Sequence, residues 1–196
     1  MLIYGDTDKG KIRANNQDSF AFNIVSNECA WAVVCDGMGG VNGGNVASKI
    51  SVEVVFEALK RSYKNGAFNG AIKNIMQSAI VKANLAVFGQ AKGNKELSGM
   101  GTTIVVVIIY NGIAYIAHAG DSRAYLINNS DIVQITRDHS IVQMMLEQGK
   151  ITKEEAKYHP SKNIITRALG VSDVIDIEYN EIAFKCNDTI LICTDG

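Results

Sequence analysis

Apolar residues recur along this chain in two rhythms. Residues 19–25 and 29–35 are short apolar-rich runs separated by the polar turn Ser26-Asn27-Glu28, the pattern of two neighbouring strands. Residues 102–110 and 113–119 flank Asn111-Gly112, a pair that suits the two positive-φ positions of a type I′ hairpin. A further hairpin is predicted from 122–127 and 132–135 around Asn128-Asn129, and strand-like runs return at 164–169, 174–179 and 189–193. The other rhythm is helical. Val46, Ile50 and Val54 predict a helix over 45–63 after a glycine-rich loop at 39–44. Ile72, Ile75, Met76, Ala79, Ile80, Ala83 and Val87 mark one apolar face and predict a second. Residues 92–101 read as a polar loop and 141–148 as a short helix. Residues 150–163 are polar, hold the single proline, Pro160, and read as an excursion that forms a flap over a site. Two strands, two helices and then many antiparallel strands lack the alternation of a parallel α/β sheet. They predict an α+β domain with helices covering an antiparallel sheet or a pair of sheets.

Composition narrows the picture. The 196 residues suit one domain, with 47% apolar and 20% charged residues. Nineteen basic residues against twenty acidic leave a net charge of −1, so no basic surplus argues for nucleic acid. No apolar run is long enough to span a bilayer, and the first residues lack a signal-peptide pattern. Cys29, Cys35, Cys186 and Cys193 form no Cys-x-x-Cys pair and read as reduced thiols of a cytoplasmic protein.

Three runs end on an aspartate beside a glycine: Ala32 through Asp36-Gly37, Ile116 through Gly120-Asp121, and Ile190 through Asp195-Gly196. A carboxylate at a strand mouth is rigidly held yet faces solvent. Glycine beside it permits a sharp turn and leaves a carbonyl accessible. Convergence of such groups makes an all-oxygen site for a hard cation, magnesium or manganese rather than zinc. Arg13 and Asp18 flank a loop entering the first strand. A planar guanidinium suits bidentate recognition of phosphate, although a surface salt bridge is the plainer reading of that segment alone. His118 reads as a packed histidine, His139 as a turn residue and His159 as solvated. Cys35 and Cys193 read as core residues rather than nucleophiles.

Taken in order, the segments Asp6-Thr7 with Gly10, Arg13 and Asn16-Gln17-Asp18, then Asp36-Gly37-Met38-Gly39-Gly40, Gly101-Thr102-Thr103, Gly120-Asp121-Ser122-Arg123, Asp138-His139-Ser140, Thr166-Arg167-Ala168-Leu169-Gly170 and Thr194-Asp195-Gly196 resemble the metal-dependent protein phosphatases. More narrowly, they resemble the type 2C serine/threonine phosphatases in their bacterial form. The resemblance covers nearly the whole chain. It implies an α-β-β-α sandwich of two antiparallel sheets between helices. It also implies hydrolysis of phosphoserine and phosphothreonine in proteins, with two manganese or magnesium ions and a third, weaker one. By the same resemblance Asp36 bridges two metals and the Gly37 carbonyl binds one of them. Asp18 serves the second metal, Asp195 the first and Asp121 the third, while Arg13 holds the substrate phosphate. Phosphorylated proteins and a serine/threonine kinase system are the implied partners, and residues 150–163 fall at the family's variable flap.

Departures are also visible. Gln17 stands where many relatives carry glutamate, and Met38 where animal relatives place a histidine assigned as general acid. Family domains continue for a few dozen residues past the Asp-Gly at 195–196 and supply a last aspartate ligand. Residues 1–196 are therefore expected to form a single catalytic domain, incomplete at its C-terminal end. An incomplete metal site leaves a non-catalytic binding module as the alternative. A two-metal nuclease is a third reading, opposed by the charge balance and Arg13.

Overall fold

In a computed structural model, residues 1–11, 13–128 and 131–194 are described, without the side chains of 40–42 and 69. Strands β1 (Asp18–Ser26) and β2 (Cys29–Met38) pair antiparallel and lead into helix α1 (Gly40–Lys64). Helix α2 (Ile72–Gly93) follows, then β3 (Gly101–Thr102), β4 (Ile104–Tyr110) and β5 (Ile113–Ala119). The β4–β5 turn is formed by Asn111 at φ 49 and Gly112 at φ 75, the two positive values that a type I′ turn requires. Next come β6 (Arg123–Asn128), β7 (Asp131–Gln134), α3 (Ile141–Glu147), α4 (Lys153–Tyr158), β8 (Glu178–Ala183) and β9 (Thr189–Cys193).

The first sheet runs β1-β2-β4-β5-β8, with β3 added beside β2; the second runs β7-β6-β9. Period-two alternation divides their side chains between two cores. Ile104, Val106 and Ile108 of β4 join Trp31, Val33 and Cys35 of β2 against α1 and α2. Val105, Val107 and Ile109 face the opposite way and meet Ala124, Ile190 and Ile192 of the second sheet. The fold is thus two packed antiparallel sheets flanked by helices, as the resemblance implied. A cleft of about 1340 Å³ opens between the sheets beside β1 and β9.

Several boundaries differ from the sequence expectation. The glycine-rich stretch expected as a loop at 39–44 is the first turn of α1 from Gly40 onward. Its glycines serve close packing, because a Cβ at Gly37 would overlap the Gly44 carbonyl. The strand expected over 102–110 is broken at Thr103. The excursion at 150–163 contains α4, started by a capping box in which Thr152 and Glu155 satisfy each other's backbone N–H groups. Residues 164–169 form isolated bridges only, Ser140 with Ile165 and Thr102 with Leu169. The strand expected at 174–179 lies instead at Glu178–Ala183, where β5 offers a pairing edge.

Candidate active site

Asp18 opens β1 directly opposite Asp36 of β2. Directly opposed residues hold their Cβ atoms about 4.5–5.5 Å apart, so the two carboxylates share one face of the sheet. On β2, Cys35 faces the helices and Asp36 the space between the sheets, on the same side as Val34. The turn into β1 is fixed by the Asp18 N–H donating to Asn16 Oδ1 at 3.0 Å, while the Gly37 N–H donates to the Gln17 carbonyl at 3.0 Å. From the second sheet, the Thr194 hydroxyl donates to Asp18 Oδ2 at 3.1 Å. Both sheets therefore meet at this cluster.

Asp121 follows Gly120, whose φ of +115 turns the chain away from β5. Ser122, on its other side, shares a hydrogen bond of 2.7 Å with Thr103, and Thr103 in turn accepts the Asp36 N–H at 2.9 Å. The structure thus links Asp18, Asp36, Gly37 and Asp121 at one end of the sandwich. Arg13 is exposed on the loop before β1, five residues ahead of Asp18. Asp195 and Gly196 lie outside the described residues; Thr194 before them touches Asp18. A carboxylate set with backbone carbonyls and hydroxyls fits a hard cation. The collision of a Gly37 Cβ with Gly44 shows that this strand mouth excludes any side chain there.

A second cluster lies behind this one. His118, His139 and Glu178 bring ligand atoms within 4.8 Å of one another. Its geometry is that of a ring stack and a His139–Glu178 hydrogen bond, with His118 Nε2 on the Arg137 carbonyl at 2.8 Å, rather than a metal site. The two imidazoles stack at 4.5 Å and 8° from parallel, and a metal must lie in the plane of each ring that binds it. His139 Nδ1 accepts the Gly120 N–H at 3.1 Å, and Nε2 lies 3.2 Å from a Glu178 carboxylate oxygen and 2.9 Å from Arg167 Nη1. Arg167 also pairs with Asp176 at 2.7 Å. Burial, with the adjoining His118 and Arg167, pushes His139 down to about 4, and burial likewise lowers His118. Both rings are neutral near pH 7. His159, expected in solvent, is half-buried and accepts the Ser161 N–H.

Burial raises the Cys35 thiol far above its ordinary range and also raises Cys193, as expected of inert thiols. Sequence reasoning quoted Thr103, His139 and Arg167 within motifs without finding their partners, and it passed over Glu178. Adjacent hydroxyls at Thr102-Thr103 after a glycine were the available signal for the first. Glu178 carried none, since only the β5–β8 pairing places it opposite His118.

Two packed antiparallel sheets with carboxylates where they meet form an oxygen-donor site suited to a hard cation. The family model for protein phosphatase 2C matches residues 11–196. Serine/threonine phosphatase stp of Listeria innocua is 37% identical over 190 residues, covering 97% of this chain and 75% of that protein. The crystal structure of the Mycobacterium tuberculosis serine/threonine phosphatase PstP/Ppp superposes with a TM-score of 0.83 at 30% identity, over 96% of this chain and 75% of that one. The catalytic domain of PstP in complex with two manganese ions matches at 0.78 and 31% identity, over 96% and 74%. The chain belongs to the protein phosphatase 2C family and is a protein phosphatase.

Proposed function

We propose that the chain hydrolyses phosphoserine and phosphothreonine esters in proteins, at the carboxylate cluster formed by Asp18, Asp36 and Asp121. The observation that carries this reading is the direct opposition of Asp18 and Asp36, joined through Thr103 and Ser122 to the Asp121 turn. On this reading Asp36 would be shared by two cations and the Gly37 carbonyl would serve one of them, while Asp195 would serve the first, Asp18 the second and Asp121 a third. Manganese or magnesium held there supplies a water of lowered pKa and neutralises charge on the phosphoryl group.

The protein's own groups orient and bind. Thr194 holds one oxygen of Asp18, which fixes the carboxylate's direction. Asp36 is held through its main chain at both N–H and C=O, so its carboxylate leaves a rigid base. Arg13 stands exposed where an incoming phosphate can take its planar fork. On this reading the exposed segment around α4, at the family's variable flap, would meet a protein substrate. Residues 1–196 belong to one catalytic domain. The substrates are products of serine/threonine kinases, and the four free thiols suit the reducing cytoplasm. Among the described residues no helix is long and apolar enough to cross a membrane.

The test is turnover of a phosphothreonine peptide and of a small aryl phosphate, with and without manganese, by the wild type and Asp36→Ala. The variant is expected to keep its circular dichroism and to lose activity by a factor on the order of 10³, because it removes a charge-stabilising anchor. Activity within a few-fold of wild type at saturating manganese would refute the site.

A further inference from the structure

Thr103 interrupts the ladder between β2 and β4 in a specific way. The pairing register that matches Val34 with Val105 and Gly37 with Thr102 puts Thr103 opposite Asp36. In a regular antiparallel pair two such residues exchange both backbone hydrogen bonds. Here one is ordinary: the Thr103 N–H donates to the Asp36 carbonyl at 2.9 Å. The reciprocal one is not, because the Asp36 N–H donates to the Thr103 side-chain oxygen at 2.9 Å. The displaced Thr103 carbonyl accepts the Thr102 hydroxyl at 3.0 Å, and that hydroxyl also reaches the Asp36 carbonyl at 2.8 Å. Every main-chain polar group of Asp36 is thereby held by a threonine hydroxyl or the Thr103 amide.

On its other side Thr103 faces the end of β5, where Ile104 pairs with Ala119. A Cβ on Gly120 would lie 2.7 Å from Thr103 Cβ, so the Thr103 side chain rests on that residue's main chain. Its hydroxyl shares the 2.7 Å bond with Ser122. Thr103 and Ser122 are 3% and 2% exposed, so neither bond is shared with bulk water. One side chain therefore grips the Asp36 backbone and both neighbours of Asp121.

We propose that Thr103 is a positioning residue that couples the two carboxylate turns, fixing Asp36 and Asp121 relative to each other through its hydroxyl and Ser122. The proposal rests on the reading of Asp36 and Asp121 as cation ligands. The Thr103 hydroxyl oxygen accepts the Asp36 N–H and shares a second hydrogen bond with the Ser122 hydroxyl, so the link between the two turns fails when that hydroxyl is removed. Groups that orient ligands in this way typically govern metal affinity by about 10–100-fold when lost.

The experiment is calorimetric titration of the metal-free protein with manganese alone, for the wild type, Thr103→Val, Thr103→Ser, Ser122→Ala and Asp36→Ala, each with its metal-free melting curve. Thr103→Val, equal in shape but without the hydroxyl, is expected to bind manganese at least tenfold more weakly. Thr103→Ser is expected to return to within about threefold of wild type. Ser122→Ala should weaken binding, and combining it with Thr103→Val should add less than the separate losses predict, as expected of groups in contact. A structural role alone would lower the melting temperature and leave manganese affinity in place. Wild-type affinity in a folded Thr103→Val, or no recovery in Thr103→Ser, overturns the coupling. If Thr103→Val does not fold, unchanged affinity in Ser122→Ala overturns it. If Asp36→Ala itself binds manganese like the wild type, the metal-site reading falls and the coupling with it. If Asp36→Ala loses manganese while Thr103→Val keeps it, the coupling alone falls.

Discussion

A neutral imidazole can accept a backbone N–H only while one of its nitrogens stays unprotonated. His139 uses Nδ1 in this way on Gly120, one residue before Asp121, so its protonation state and the shape of that turn are linked. Its folded pKa of about 4 lies below the unfolded value of about 6.5, so the unfolded chain binds the extra proton between these limits. The stabilisation is fully present above about pH 6.5 and is lost as pH falls toward 4. His118, lowered in the same direction and stacked on the ring, adds to the slope. One proton contributes up to about 1.4 kcal/mol per pH unit. His139→Asn keeps an acceptor at the δ position and does not titrate. Urea midpoints from pH 7 to 4.5 should therefore fall less steeply for this variant than for the wild type, and identical slopes would contradict the assignment. At this scale Asp36 and Asp121 were legible because a carboxylate ending an apolar run is a local pattern, whereas Asp18 stood out beside Arg13 on the loop entering β1. The partners of His139 were not, because Gly120, Arg167 and Glu178 reach it from distant segments.

Two glycines within helices show why the same residue has opposite meanings in different elements. Gly89 lies exposed in α2 with nothing within 4 Å of a Cβ, so Gly89→Ala should stabilise by about 0.5–1 kcal/mol through helix propensity. Gly44 lies in α1, where a Cβ would sit 2.7 Å from the Gly37 carbonyl carbon and oxygen. Backbone cannot step aside as a flexible side chain can, so Gly44→Ala should destabilise by about 1–3 kcal/mol. It should also weaken manganese binding, since it pushes on the residue after Asp36. Denaturant unfolding of the two variants checks the sign, and equal effects would mean that the α1–β2 contact is slack. The expected loop at 39–44 failed for this reason. Glycine density is a turn signal in one dimension, whereas here it marks a helix crossing a strand at close range. The flap was legible as an excursion, but its small helix depended on the Thr152–Glu155 capping box rather than on an apolar face.

Across the whole molecule the cluster joins both sheets. Asp18 and Asp36 belong to the first sheet, and Thr194 leaves the second to reach Asp18. Binding at such a seam favours only the folded state, because unfolding separates the ligands. Manganese at about 100 times its dissociation constant should add about 2.7 kcal/mol. For a chain of this size that raises the melting temperature by about 5–10 °C. Asp36→Ala should abolish most of the shift while melting normally without metal. A full shift in that variant would place manganese elsewhere on the protein.

The opening order of two strands, two helices and a β-meander, the apolar face of α2, the Asn111-Gly112 turn and the aspartates Asp36 and Asp121 after apolar runs were legible in the sequence alone. Each depends on periodicity or on neighbours within a few residues. The break of the β3–β4 run at Thr103, the contact of Gly37 with Gly44 and the meeting of His118, His139 and Glu178 were decided only by tertiary structure. Each depends on which strand lies beside which. A hydroxyl replaces a backbone acceptor at Thr103 only because Asp36 stands on one side of it and Gly120 on the other.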